Sequence, residues 1–533
     1  MTLTERTSLL LLLGLLATGL GCSSDGGSGS GADVVVDSGG DGARLELPGT
    51  ETIADADVGG PGDLDVVEDA TLFDSEPGEL VEVADVLPEV ELDLVETLPQ
   101  ATPPGLKGPV VVEVLLETQL VTPDITIPYQ LLKLVAEGGH PVYAQWFPPA
   151  PEEGVRPVMM VTRPYDGIDW SGDPVDIKWA ERGPGAYPDD DEPGYGPGSS
   201  HIGYSTLPHE KAAEEALIYR VHKMGALFVY GRYYAGGSIR NEVDDMTTGL
   251  AFLAQQQNVD KEAVGLFGAS WGGFEAVYAA AYAPPELTPA VGVALAPLVL
   301  MDQQVEYVTQ TLPASNASPE QKQGYQAFFE TYLRRIFAST GGKPDDPGAD
   351  YSFWNAKALA QRTKTPFLLV HDQWDTLVPF VQSETLAQLN PAVFKPLFMY
   401  QESPRDFSAL PMDHGNMLVV AGGFPAIYSV FYSFSLSRLL PDGETIMVLC
   451  HQPSMRVFFE ALRSYQLASK DVSWAAPLLV DMAGPDVLMF DIVSEPAATI
   501  PGAQYVADEL NAVWGLELKA EQVVSVLEQG LPE

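Results

Sequence analysis

A serine, an acid and a histidine, the residue types that together perform acyl transfer, follow one another along this chain. The serine is Ser270, inside Gly268-Ala269-Ser270-Trp271-Gly272. An apolar run of strand length, Ala263 to Phe267, leads into it, and an alanine-rich stretch suited to a helix, Glu275 to Ala283, follows. Strand, Gly-x-Ser-x-Gly turn and helix make a nucleophile elbow, which holds the hydroxyl clear of a sheet edge. Glycines two before and two after the serine let neighbouring backbone pass closely, and the helix N-terminus favours developing negative charge. A serine hydroxyl is a poor nucleophile at neutral pH. It needs a base to take its proton and an acid to orient that base.

Only His371, His414 and His451 follow the serine. The apolar run Phe367-Leu368-Leu369-Val370 ends in His371-Asp372-Gln373-Trp374-Asp375, and the next strand is followed by Leu410-Pro411-Met412-Asp413-His414-Gly415. Acid and base thus arrive in the order serine, acid, histidine, each after a later strand. Asp375 is preferred to Asp372 because it lies further out on its loop. His414 is the base, and His451, beside Cys450 in a later segment, is the weaker candidate.

These residues need elements to carry them. Val110 to Leu116, Tyr129 to Val135, Tyr143 to Phe147 and Pro157 to Thr162 read as strands, with a hairpin turn at Gly138 to Pro141. Helical patterns at Pro208 to Met224, Val243 to Gln257 and Trp271 to Ala283 then alternate with apolar runs at Ala226 to Tyr230, Ala263 to Phe267 and Ala290 to Ala296. Such alternation predicts a mostly parallel sheet covered on both faces. Residues 301–360 interrupt it with mostly helical sequence that carries Phe328, Phe329, Tyr332 and Phe337, a cap-like insertion. The rhythm resumes through Pro366 to Val370, Val381 to Leu389 and Pro396 to Tyr400, with helical sequence after Gly415. Residues 441–533 mix apolar runs with helical ones (Met455 to Tyr465, Ala520 to Gln529) and receive no fold assignment. Asp189-Asp190-Asp191-Glu192, in a long loop rich in glycine and proline, lacks the spaced ligands of a calcium loop. No cofactor or metal is expected.

The elbow, together with His371-Asp372-x-x-Asp375-x-x-Val378-Pro379 and Gln382-Ser383, resembles the prolyl-oligopeptidase group of α/β-hydrolases. Arg163-Pro164-Tyr165-Asp166 is similar to the X-prolyl dipeptidyl aminopeptidase and cocaine-esterase branch. The resemblance implies a doubly wound sheet with a helical cap and a triad of Ser270, Asp375 and His414. It also implies that the Tyr165 hydroxyl and the Trp271 amide stabilise the oxyanion. The substrate would be a peptide or a small ester. A free-amine clamp of the dipeptidyl type is not evident, with Glu320 and Glu330 as the residues to consider. A hydrolase scaffold used only for binding is the remaining alternative, and the intact triad speaks against it.

The formal net charge is -46 over 533 residues, and about 21 acidic residues against Arg44 alone fall between Ser23 and Leu106. That sign repels phosphate backbones and excludes nucleic acid as a partner. Residues 22–107, rich in Gly, Ser, Asp and Glu with few aromatics, read as a disordered acidic linker. Met1 to Gly21 reads as an export signal, with Arg6 ahead of the apolar Leu9 to Leu16. Gly19-Leu20-Gly21-Cys22 resembles a lipoprotein cleavage site, which would lipidate Cys22 and tether the protein to a membrane; plain secretion is the alternative. The hydrolase domain then spans residues 108–440. Cys450, in an apolar run, is expected to be a buried small hydrophobe.

Overall fold

Neighbouring residues of one strand enter opposite cores, and that alternation organises the molecule. The computed structural model describes residues 109–121, 126–135, 141–163, 168–169, 178–179, 216–231, 239–315, 317–372, 375, 377–399, 424–450, 455–456, 458–459, 475–491 and 499–524. All of them fall in one compact unit. Cys22, Tyr165 and His414, the signal and linker segments, and the hairpin turn at 138–140 lie outside the described residues.

Among the described residues nine strands form the main sheet: β1 (Val111–Val121), β2 (Thr126–Val135), β3 (Pro141–Phe147), β4 (Arg156–Arg163), β5 (Gly225–Tyr230), β6 (Val259–Ala269), β7 (Val291–Leu295), β8 (Phe367–Asp372) and β9 (Phe394–Met399). Their spatial order is β1-β2-β3-β5-β4-β6-β7-β8-β9. The first three pair antiparallel, and β3 meets β5 antiparallel. From β5 to β9 every pairing is parallel. Buried on both faces, these strands are near-continuous apolar runs, as parallel sheets require.

On β4, Met159 and Val161 enter one core while Val158 and Met160 enter the other. β8 repeats this, with Leu368 and Val370 on one side and Phe367 and Leu369 on the other. The period of two sends alternate side chains to opposite faces. The second face is covered by α2 (Ile239–Gln255), α3 (Trp271–Ala281), the buried Ile336 of α5 (Pro319–Thr340), α6 (Ala356–Arg362) and α7 (Val381–Leu389). A shorter helix, α4 (Met301–Glu306), runs through a π-helical turn into residue 314. The insertion expected at 301–360 is therefore helical over most of its length.

The first face is covered by α1 (Leu217–Val221) and α8 (Phe424–Leu439), and beyond α8 the C-terminal residues join the same core. There β10 (Ile446–Cys450) pairs parallel with β11 (Val487–Asp491), and β12 (Thr499–Pro501) closes a three-stranded sheet antiparallel to β11. Helices α9 (Ala475–Ala483) and α10 (Gly502–Trp514) pack with it, and Cys450 is fully buried. One helical expectation is corrected. The described helix before β5 ends at Val221 rather than Met224, because Lys223 takes a left-handed φ of 61°. Residues 520–522 form a short 3-10 turn, with a helical continuation described only to residue 524. Among the described residues no helix is long and apolar enough to cross a membrane.

Candidate active site

Strand β6 delivers Ser270 in the conformation an elbow demands. Its φ is 55° and ψ -118°, a region that costs a non-glycine residue about 1–3 kcal/mol. Backbone bonds hold it there. Ser270 N–H donates to Leu295 O at 2.7 Å, and Ser270 O accepts from Phe274 N–H at 3.2 Å and Leu298 N–H at 3.3 Å. Gly268 permits the turn, since a Cβ there would stand 2.1 Å from Gly272 O. The Thr162 hydroxyl donates to the same Gly272 carbonyl at 2.8 Å and pins the helix start to β4.

Trp271 is the first residue of α3, and the N–H groups of a first helical turn have no intrahelical acceptor. Ser270, at the N-cap, makes no capping hydrogen bond, so its hydroxyl is not committed to the helix. The indole of Trp271 is fully buried, and its Nε1–H donates to the Glu242 carboxylate of α2. That carboxylate is itself fully buried and ion-paired with Arg335 of α5.

The acid arrives two strands away. Ala269 is in register with Leu295 on β7, and Leu295 with Val370 on β8. Neighbouring strands lie about 4.8 Å apart, so the ends of β6 and β8 are on the order of 10 Å apart at one edge. Asp375 stands three residues past the end of β8 and is 6% exposed. Its Oδ1 accepts from Leu377 N–H at 2.9 Å and Val378 N–H at 2.8 Å, and its Oδ2 lies 3.4 Å from His371 Nε2. His371 also faces Val378 O at 3.1 Å and, through Nδ1, the Ser383 hydroxyl at 2.7 Å. Gln382 holds the other side: its Oε1 accepts from Val299 and Leu300 N–H at 2.7 and 2.8 Å, and its Nε2 donates to Gln304 at 2.9 Å. Gln304 in turn donates to Leu377 O at 2.9 Å.

Of the five residues named for catalysis, the structure places Ser270, Trp271 and Asp375 at one sheet edge. Tyr165 and His414 lie outside the described residues. Glu330 is exposed and pairs with Arg334 at 3.5 Å; the Glu320 side chain is outside the description. Among the described residues no cluster of three or more His, Cys, Asp or Glu could hold a metal ion. Glu242, Arg335 and the Gln304–Gln382 bridge were not found from sequence. Their contacts join positions far apart in the chain, and no local pattern marks them.

Residues 236–390, which carry α2, the elbow, the insertion and the acid loop, match the prolyl oligopeptidase family. Similar solved structures include an acetyl xylan esterase from Paenibacillus sp. R4, with 15% identity, 58% of this chain and 88% of that chain covered, and a TM-score of 0.35. An acylaminoacyl peptidase from Pyrococcus horikoshii shares 13% identity over 62% of this chain and 42% of its own, with a TM-score of 0.35. The esterase Pf2001 from Pyrococcus furiosus shares 15% identity over 59% of this chain and 92% of its own, with a TM-score of 0.36. No curated protein matches the sequence. The chain is a serine hydrolase of the α/β-hydrolase fold.

Proposed function

We propose that this serine hydrolase cleaves a peptide bond through Ser270, His414 and Asp375, by way of an acyl-enzyme. The strained Ser270 at the head of α3, within a stretch that matches the prolyl oligopeptidase family, carries the reading. His414 takes the hydroxyl proton as Ser270 Oγ attacks the acyl carbon, and Asp375 fixes the imidazole tautomer. The oxyanion then accepts from the Trp271 amide and the Tyr165 hydroxyl, each donor worth about 3 kcal/mol in comparable enzymes. Collapse expels the amine, which takes the proton from His414. A water, deprotonated by the same imidazole, releases the acid and restores Ser270.

A fluorophosphonate probe tests the nucleophile: labelling of the wild type and its loss in Ser270→Ala are expected. Turnover of an X-Pro-anilide against a short acyl ester tests the bond class. Cleavage of the ester alone would overturn the peptidase reading in favour of a carboxylic ester hydrolase. For the N-terminus the proposal is export, with Cys22 lipidated. Partition of the mature protein into detergent, lost in Cys22→Ala, is the expected outcome. An aqueous wild type would leave plain secretion.

A further inference from the structure

Trp271 belongs to two structures at once. Its backbone N–H heads α3, and its indole is sunk between α2 and the inserted helix α5. The ring lies 5.5 Å from Phe274 and 5.6 Å from Tyr332 of α5, centroid to centroid, and the Arg335 guanidinium sits 5.8 Å from its centroid. The indole N–H ends on Glu242, which Arg335 neutralises. Farther along α5, Ile336 is fully buried and the Ser339 hydroxyl accepts from Ile239 N–H at 3.2 Å, at the start of α2. The insertion is thus fastened to the elbow and to α2 through one buried polar relay.

Such a relay is a poor way to gain stability alone. A buried ion pair seldom outperforms apolar residues of similar volume, whereas removing one partner leaves an uncompensated charge. Its value here is placement. The indole cannot shift without losing its acceptor, and a ring anchored in this way holds, through Cβ and Cα, the backbone whose amide heads α3. We infer that Glu242 and Arg335 are positioning residues for the oxyanion hole, through which the inserted helix α5 sets the place of the Trp271 amide. The inference rests on the proposed oxyanion role of that amide.

The test compares an ester with its thionoester, whose sulfur is a weak hydrogen-bond acceptor. An enzyme with a well-placed oxyanion hole prefers the oxygen substrate, and a misplaced donor erodes that preference. In Arg335→Met we expect kcat/KM for the ester to fall about tenfold and the oxygen-over-sulfur preference to fall by a similar factor. In the Glu242→Gln, Arg335→Met double variant, which removes both charges but keeps an acceptor for the indole, both should return to within about threefold of wild type. Should Arg335→Met fail to fold, Glu242→Gln alone is read, with a loss in the same preference expected. An unchanged preference in every folded variant, even with lower activity, would reduce the relay to a structural role and overturn the inference. A wild type that neither labels at Ser270 nor turns over ester removes the catalytic reading and the inference with it.

Discussion

Nε2 of His371 lies 3.4 Å from Oδ2 of Asp375, and both side chains are fully buried. Val378 O, on the same nitrogen, can only accept. Nε2 therefore carries a hydrogen, and Nδ1 is hydrogen-bonded to the Ser383 hydroxyl at 2.7 Å. The imidazole binds the acid loop to α7 and is fully engaged in doing so. In His371→Leu two buried polar groups lose their partners, at a cost of roughly 2–4 kcal/mol. Thermal melts should show that loss, and kcat for ester hydrolysis should fall about tenfold with KM little changed. His371→Asn, which keeps a donor near Val378 O, should lie between. Wild-type kcat in a folded His371→Leu would mean that Asp375 needs no such support.

Gly268 and Gly515 predict unequal costs for the same substitution. At Gly268 a Cβ would meet Gly272 O at 2.1 Å and the Thr162 hydroxyl at 2.4 Å, and the elbow backbone is pinned by Leu295. Gly268→Ala should lose about 3 kcal/mol or more and abolish turnover. Gly515, the left-handed C-cap of α10 at φ 66°, has nothing within 4 Å. Gly515→Ala should cost about 1 kcal/mol and leave turnover intact. Urea midpoints of the two variants decide the comparison.

The elbow was legible because everything it needs is local: an apolar strand, two glycines around Ser270 and a helix-forming stretch after it. Its strand proved longer than the apolar run, since it begins at Val259, which pairs with Arg156 of β4 ahead of a register shift. The helix of Val381–Leu389 matched residue for residue, its apolar spacing unbroken by proline or glycine. What the sequence hid were joints between distant positions. Residues 441–533 read as a mixture because β10 is held in part by residues more than two hundred positions earlier. Met447 N–H donates to His222, and Glu444 pairs with Arg156. The His371 imidazole was visible as part of a motif, yet its role depended on Ser383 turning back from α7.

The joint at His222 should make the molecule sensitive to acid. Nδ1–H of this buried ring donates to Ile218 O at 2.7 Å, and Nε2 accepts from Met447 N–H at 2.9 Å. Burial, first of all, pushes its pKa from 6.5 down to about 4, against the opposing effects of the Ile218 bond and Glu444. A depressed value means that the folded state binds the proton less readily than the unfolded chain. The stability is therefore complete above pH 6.5 and drains away as pH falls toward 4, by about 2 kcal/mol between pH 7 and 4.5. The Arg156–Glu444 pair, bonded at 2.6 and 2.7 Å, holds the Glu444 carboxyl below its ordinary range and yields only in stronger acid. In His222→Gln, which retains an acceptor for Met447 without titrating, the urea midpoint should vary less over that interval. Parallel wild-type and variant curves would place the acid sensitivity elsewhere.

Glu275 should produce the opposite dependence. It lies on α3, five residues past the serine, fully buried, and neither carboxyl oxygen has a hydrogen-bond partner. Burial, and then the nearby Asp245 of α2, raise its pKa well above 4.5. The folded state keeps this proton while the unfolded chain releases it, so the stabilising effect is whole below pH 4.5 and is lost as pH rises. Each pH unit between the two values removes roughly 1.4 kcal/mol. Glu275→Met, close in volume and unable to ionise, should match the wild type near pH 4 and exceed it increasingly toward pH 8. Denaturant midpoints at four pH values measure the divergence. A stability difference that does not change with pH would mean that Glu275 is already ionised and stabilised by a counter-charge.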